Sequence, residues 1–283
     1  MNIYGFDFTS APGPRKPITC AICKLAENTL TLHACIKLHS FEEFEAFLNR
    51  AGPWLTALDF PFGQPRKLIS RLGWPETWEG YVQLIATMGK QLFEDTLTQY
   101  SAHQPPGDKH HLRVTDVRAA SRSPMMLHRV PVAKMFFQGV PRLLASGAGI
   151  LPCHPANDNR TVIEGYPVLV ARCWIGRRSY KSDERAQQSA DKAAVRQEIL
   201  LGLCSPELYD YYGCTLAMPT ALTEALIADP MADSLDALLC AVQAAWAYSQ
   251  RNSGYGIPPY CDPLEGWIVD PAMLRSRPGT FGE

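Results

Sequence analysis

The chain has 283 residues, 46% hydrophobic and 19% charged, with 27 basic against 28 acidic side chains and a net charge of -1. That length can bury a substantial core and that composition is globular, which excludes a disordered chain. Near-neutral charge supplies no global positive field, so any nucleic-acid surface has to come from local clustering. The nine cysteines are odd in number and scattered, and the first residues lack the basic and long apolar regions of a secretory signal. Together they predict reduced thiols and a cytoplasmic protein. No apolar run approaches the roughly 20 residues that span a bilayer.

The first predicted element is the strand Asn2-Ile3-Tyr4-Gly5-Phe6-Asp7-Phe8-Thr9-Ser10, broken by the proline-rich loop Ala11 to Pro17. Asp7 costs free energy in this apolar setting unless it has a partner, and at the strand end it can present its carboxylate to a site. Ile18 to Ala26 and Thr29 to Leu38 read as two further strands in an antiparallel meander. Cys20 and Cys23 have CxxC spacing, but on a strand they face opposite sides and no second pair completes a zinc site. They read as buried apolar side chains. Ser40 caps a helix over Phe41 to Leu48, with Glu43 in the capping-box position and Phe44, Phe47 and Leu48 buried. A fourth strand from Trp54 ends in Leu58-Asp59-Phe60-Pro61-Phe62-Gly63.

From Gln64 to about Pro152 the pattern becomes helical, starting near Trp74-Pro75-Glu76-Thr77 and returning from about Met125 to Ala145 despite Pro131 and Pro141. Trp74, Trp78 and Tyr81 read as packing residues. Ser101 to Asp116 reads as a mobile polar loop, with His110-His111 a solvated pair. The region at about 64–152 is read as an insertion covering one end of the sheet, within a single domain spanning 1–283. Thr161-Val162-Ile163-Glu164-Gly165-Tyr166-Pro167 is a third strand ending in an acid. Three such strands predict one acidic cluster at a sheet edge, which needs a metal or shared protons; each acid alone also suits a cap of the following turn or helix. A basic run follows, Arg172, Arg177, Arg178, Lys181 and Arg185, then a polar helix through Lys192 and Arg196. The run suits either a solvated face or a phosphate-binding surface. Asp233 to Ala247 is the most helical segment. Asp233 fits an N-cap or a ligand, and Asp236, directly against the apolar run, is the better ligand candidate. Glu265-Gly266-Trp267-Ile268-Val269-Asp270 reads as an extended segment. Neither a GxSxG turn nor a GxxxxGK[ST] loop is present.

Strand order, acid positions and the late helix together resemble the RNase H-like superfamily, and within it the predicted-nuclease family known as domain of unknown function 429. The resemblance rests on Gly5-Phe6-Asp7, Leu58-Asp59-Phe60-Pro61-Phe62-Gly63, Ile163-Glu164-Gly165-Tyr166-Pro167, Asp233-Ser234-Leu235-Asp236-Ala237 and Glu265-Gly266-Trp267-Ile268-Val269. It implies an α/β fold: a mixed five-stranded sheet, three antiparallel strands and then two more, flanked by helices and carrying a large, mostly helical insertion. It also implies a metal-dependent nuclease that binds two Mg2+ or Mn2+ ions. Asp7, Asp59, Glu164 and Asp236 would be the catalytic acids and Asp7, Asp59, Asp233 and Asp236 the ligands. Glu164, extra to the superfamily's resolvase pattern, would support the ligands or replace one. Arg177, Arg178 and Lys181 would hold the phosphates of a nucleic acid or nucleotide. Two alternatives stand beside it: a nucleotide-binding phosphoryl-transfer protein of the actin and sugar-kinase type, and an inert binding module of the same fold.

Overall fold

The computed structural model describes residues 1–182 and 188–274; Arg185 of the basic run lies outside them. Among the described residues one mixed sheet contains β1 (Asn2–Asp7), β2 (Ile18–Ala26), β3 (Thr29–Leu38), β4 (Trp54–Leu58), β5 (Gly149–Leu151), β6 (Arg160–Glu164) and β7 (Thr215–Ala217). Their spatial order is β5-β6-β4-β1-β2-β3-β7. β1, β2 and β3 form the antiparallel meander, whereas β4 runs parallel to β1, β6 parallel to β4, and both edge strands parallel to their neighbours. The expected five strands are therefore corrected to seven. The additional edge strands β5 and β7 have three residues each, too short for a period of two to stand out in the sequence.

The helices are α1 (Phe41–Leu48), α2 (Arg66–Leu72), α3 (Trp78–Ala102), α4 (Val114–Ala119), α5 (Val132–Ser146), α6 (Pro167–Ile175), α7 (Ala190–Leu203), α8 (Glu207–Tyr212), α9 (Thr220–Ala228) and α10 (Asp233–Ser249). Alternation along the strands divides the core in two. Phe6, Cys20, Trp54 and Val162 pack on one face with apolar residues of α1, α2, α3 and α5. Ile3, Cys23, Leu55 and Ile163 pack on the other with α6, α7 and α10. Cys20 and Cys23 thus lie buried in different halves of the core, as the strand period requires. Ser40 Oγ accepts the Glu43 amide at 3.2 Å, while the Glu43 carboxylate accepts the His39 amide at 2.6 Å, one residue earlier than a capping box would place it.

The inserted region covers a face of the sheet rather than only one end: Trp78, Tyr81, Phe93 and Phe136 share a core with Phe6 and Phe44. After β6, Pro167 opens α6 at a position where its fixed φ suits a first turn. Two expectations along the chain are also corrected. The segment Ser101 to Asp116, expected to be a mobile loop, ends in α4 and carries two buried charges, Arg113 and Asp116. His111 is buried rather than solvated, with its ring 2.8 Å from Tyr100 Oη and 3.0 Å from an Asp108 carboxylate oxygen. Among the described residues no helix is long and apolar enough to cross a membrane.

Candidate functional site

Parallel pairing brings strand ends to one rim. Phe6 of β1 is in register with Leu58 of β4, and the Asp59 amide donates to the Phe6 carbonyl at 3.0 Å. Asp7 and Asp59 are therefore neighbours at the same sheet edge. The pleat also fixes their face: Ile3 points toward α10, so Gly5 and Asp7, two and four residues on, do the same. α10 crosses β1 at Gly5, where a Cβ would lie 2.1 Å from the Ala237 carbonyl oxygen and 2.2 Å from the Ala241 amide nitrogen. Glycine here lets the helix backbone touch the strand, which delivers Asp236 and Asp233 to the rim beside Asp7.

The helix begins abruptly. Ala232 precedes it with a left-handed φ of 58°, and the Asp236 amide closes the first turn onto the Ala232 carbonyl at 2.8 Å. Ala232 holds the N-cap position, so Asp233 is a first-turn acid and not the cap. A buried, non-glycine left-handed residue stores strain beside the acids, a common placement at functional sites.

The electrostatics express the convergence. Burial holds Asp7 well above the usual carboxylate range; Lys181 opposes that shift, and Asp236, Asp233 and Asp59 add to it. Burial likewise pushes Asp59 up to about 7, with Lys181 pulling down and Asp236 and Glu164 pushing further up. Asp233 is raised by burial, against Lys16. Asp236 is 0% exposed. It accepts the Tyr180 hydroxyl at 2.5 Å and pairs with the Lys181 ammonium. Burial alone would lower the Lys181 pKa, but Asp236, Tyr180, Asp7 and Asp59 outweigh it and keep the ammonium charged. The protein therefore places its own cation among the four aspartates.

Glu164 ends β6 at the same rim, yet it pairs in register with Leu58, not with Asp59. A one-residue offset turns a strand side chain to the opposite face, and Gly165 occupies the α10 side instead, where an added Cβ would meet Gln243 and Cys240. The Glu164 carboxylate is 2% exposed and taken up by Arg113 Nη1 and Nη2, at 2.8 and 2.6 Å, and by the Phe62 amide at 2.9 Å. Arg113 in turn holds Asp116 through Nε and Nη2 and the Glu265 carbonyl through Nη1. This network ties α4 and the C-terminal segment to the sheet. Arg113, Asp116 and Tyr180 escape a reading of the sequence because each sits in a short polar stretch with no periodicity.

The rim opens on a cleft of about 310 Å3 lined by Asp59, Arg113, Arg122, Glu164, Tyr166 and Lys181. Of the predicted phosphate ligands, Lys181 faces this cleft, whereas Arg177 and Arg178 line a neighbouring pocket and Arg178 pairs with Glu198. Arg196, read from the sequence as part of a polar helix, is buried and donates to the Tyr180 carbonyl at 2.9 Å and the Ile227 carbonyl at 2.8 Å, anchoring the segment that carries Lys181. Among the described residues no three His, Cys, Asp or Glu side chains already surround a common point that could hold an ion. The donor set is nevertheless all oxygen, which suits Mg2+ or Mn2+. Mg2+ characteristically takes one or two carboxylates and completes its shell with water and phosphate oxygens.

Fold and site define a mixed α/β protein with an aspartate cluster at one sheet rim. The chain belongs to the family described as "Protein of unknown function (DUF429)", whose model matches residues 5–259, a span that includes all four aspartates and ends before Glu265. No curated protein and no solved structure matches the chain.

Proposed function

We propose that the protein is a divalent-metal-dependent phosphodiesterase of the nuclease type, with Asp7, Asp59 and Asp236 as ion ligands and Asp233 supporting them. One observation carries this reading: carboxylates from β1, from the residue after β4 and from α10 meet at one rim with their pKa values held up by burial and by one another. Like charges gathered out of water cost stability, and a divalent cation offsets that cost. The order of the five central strands, β6-β4-β1-β2-β3, with three antiparallel and the others added in parallel, adds support through its likeness to the RNase H-like arrangement.

Bound there, hard cations would supply a water of lowered pKa and a stabilised leaving oxygen. The chain's own residues prepare for this. Burial raises the pKa of both Asp7 and Asp59, so an ion bound there would compete with protons, and Lys181, displaced from Asp236, would turn its ammonium toward a substrate phosphate in the cleft it already lines. Glu164 stays outside the ligand set because Arg113 and the Phe62 amide occupy its oxygens.

Calorimetric titration with Mn2+ tests the reading. The parent is expected to bind at millimolar concentration or better and Asp7→Asn more weakly; a parent that takes up no ion overturns it. A second reading, an inert module of the same fold, draws on the Lys181–Asp236 pair, which already gives the cluster a positive charge. Phosphoryl transfer of the actin or sugar-kinase type needs a glycine-rich turn after the first strand, where this chain has the proline-rich Ala11 to Pro17.

A further inference from the structure

Beside the acidic cleft lies a pocket of about 520 Å3 whose charged lining is wholly basic: Arg118, Arg172, Arg177 and Arg178. The two cavities share a wall. Val168 of α6 lines both; the end of α4 and the residue after it give Arg118, Ala119 and Ala120 to the basic pocket, and the following Ser121 and Arg122 line the acidic cleft. The consecutive residues Tyr180 and Lys181 divide in the same way. Three of the guanidinium groups are held by backbone carbonyls, Arg172 by Ala119 at 2.8 Å, Arg178 by Ile175 at 3.2 Å and Arg118 by Met273 at 3.3 Å, and Arg178 also pairs with Glu198. At the far side Arg118 stands 5.5 Å from the ring centre of Tyr260 and 5.7 Å from that of Trp267. Trp267 is buried, but Tyr260 is 62% exposed, a large aromatic surface left in water beside an arginine.

We propose that the arginine pocket and Tyr260 form the binding track of a single-stranded nucleic acid whose backbone continues into the acidic cleft. This deepens the hydrolase reading by naming its substrate class and rests on it for what happens in the cleft, although the binding itself can be measured alone. The arginines meet successive phosphates, Arg178 in exchange for its Glu198 partner, and Tyr260 with Arg118 offers a stacking surface to a base. That surface selects unpaired strands, because a base inside a duplex already stacks on its neighbours. Near-zero net charge fits local attraction of this kind better than a long basic face.

The test is fluorescence anisotropy in chelator with labelled single strands of DNA and of RNA, each about a dozen nucleotides long, and with the matching duplex. The full-length parent is compared with Arg177→Ala and Tyr260→Ala, both exposed positions. The parent is expected to bind single strands about tenfold or more tighter than duplex, and Tyr260→Ala to weaken that binding about tenfold. Arg177→Ala should flatten the slope of log affinity against log salt by about 0.7, the loss of one phosphate contact on a single strand. No binding by the parent, equal binding of duplex, or two variants that bind as the parent does would overturn the track. Single-strand binding with the expected variant effects but no Mn2+-dependent cleavage leaves the track standing and removes the hydrolase reading. Cleavage with variants indistinguishable from the parent does the reverse.

Discussion

Asp59 carries the clearest titration signature in the cluster, a carboxyl pushed up to about 7 by burial against the pull of Lys181. In the unfolded chain it ionises near the ordinary aspartate value. Between about pH 4 and pH 7 the folded state thus binds a proton that the unfolded state has lost, and stability contributed by this group falls as pH rises through that window. Above pH 7 both states are ionised and the full penalty remains. Asp59→Asn mimics the protonated carboxyl at every pH. Without divalent ions it should match the parent near pH 4 and exceed it at pH 8 by about 3 °C or more in Tm, the scale of one kcal/mol or so in a chain of this size. Thermal melts across that range check it. A variant less stable than the parent at pH 8 would mean that Lys181 and not burial dominates at Asp59. Lys181 itself was read from the sequence as a phosphate contact in a basic run. Nothing in Arg177-Arg178-Ser179-Tyr180-Lys181 reveals that one member turns inward, since that depends on the Arg196 bonds that anchor its backbone.

At the scale of elements, the close crossing of α10 over β1 decides where Asp236 stands. Gly5→Ala would drive a methyl group into the Ala237 carbonyl and Ala241 amide, both backbone atoms that cannot rotate aside. Its expected cost is about 3 kcal/mol in urea unfolding, with weaker Mn2+ binding because α10 and Asp236 are pushed off the rim. Glu164 behaves oppositely. Glu164→Gln should lower stability by about 1–3 kcal/mol by removing a buried carboxylate from Arg113, yet leave calorimetric Mn2+ binding as in the parent. Loss of ion binding in that variant would return Glu164 to the ligand set. The same elements explain what could be read in advance. Asp7 and Asp59 were legible because an apolar strand that stops at a proline-rich turn announces its end. Asp236 was legible because it abuts an unbroken apolar run. The face of Glu164 was not, since register depends on which residue of β4 it meets across space. Arg113 was hidden for a related reason: a charged residue in a turn-rich stretch looks solvated until the Glu164, Asp116 and Glu265 it joins are brought together by the fold.

For the whole molecule, folding gathers Asp7, Asp59, Asp233 and Asp236 from opposite ends of the chain and offsets them with the nearby ammonium of Lys181. The native state is therefore destabilised at its rim, and any cation that binds there but not to the unfolded chain must stabilise the protein globally by mass action. At about a hundred times its dissociation constant, a single such ion contributes about 2.7 kcal/mol. That corresponds to a rise of about 5–10 °C in Tm for a chain of this length. If the ion binds at the proposed carboxylates it competes there with protons, so the rise should grow with pH, being larger at pH 8 than at pH 6 on either side of the Asp59 value of about 7. Asp7→Asn removes a proposed ligand whose carboxylate feels all three other aspartates, so its melting temperature should respond little to Mn2+ at either pH. Differential scanning calorimetry of the two proteins, with and without Mn2+ and again after chelation, measures both dependences at once. A shift of the same size in Asp7→Asn, or one that is flat between pH 6 and pH 8, would place the ion away from these carboxylates.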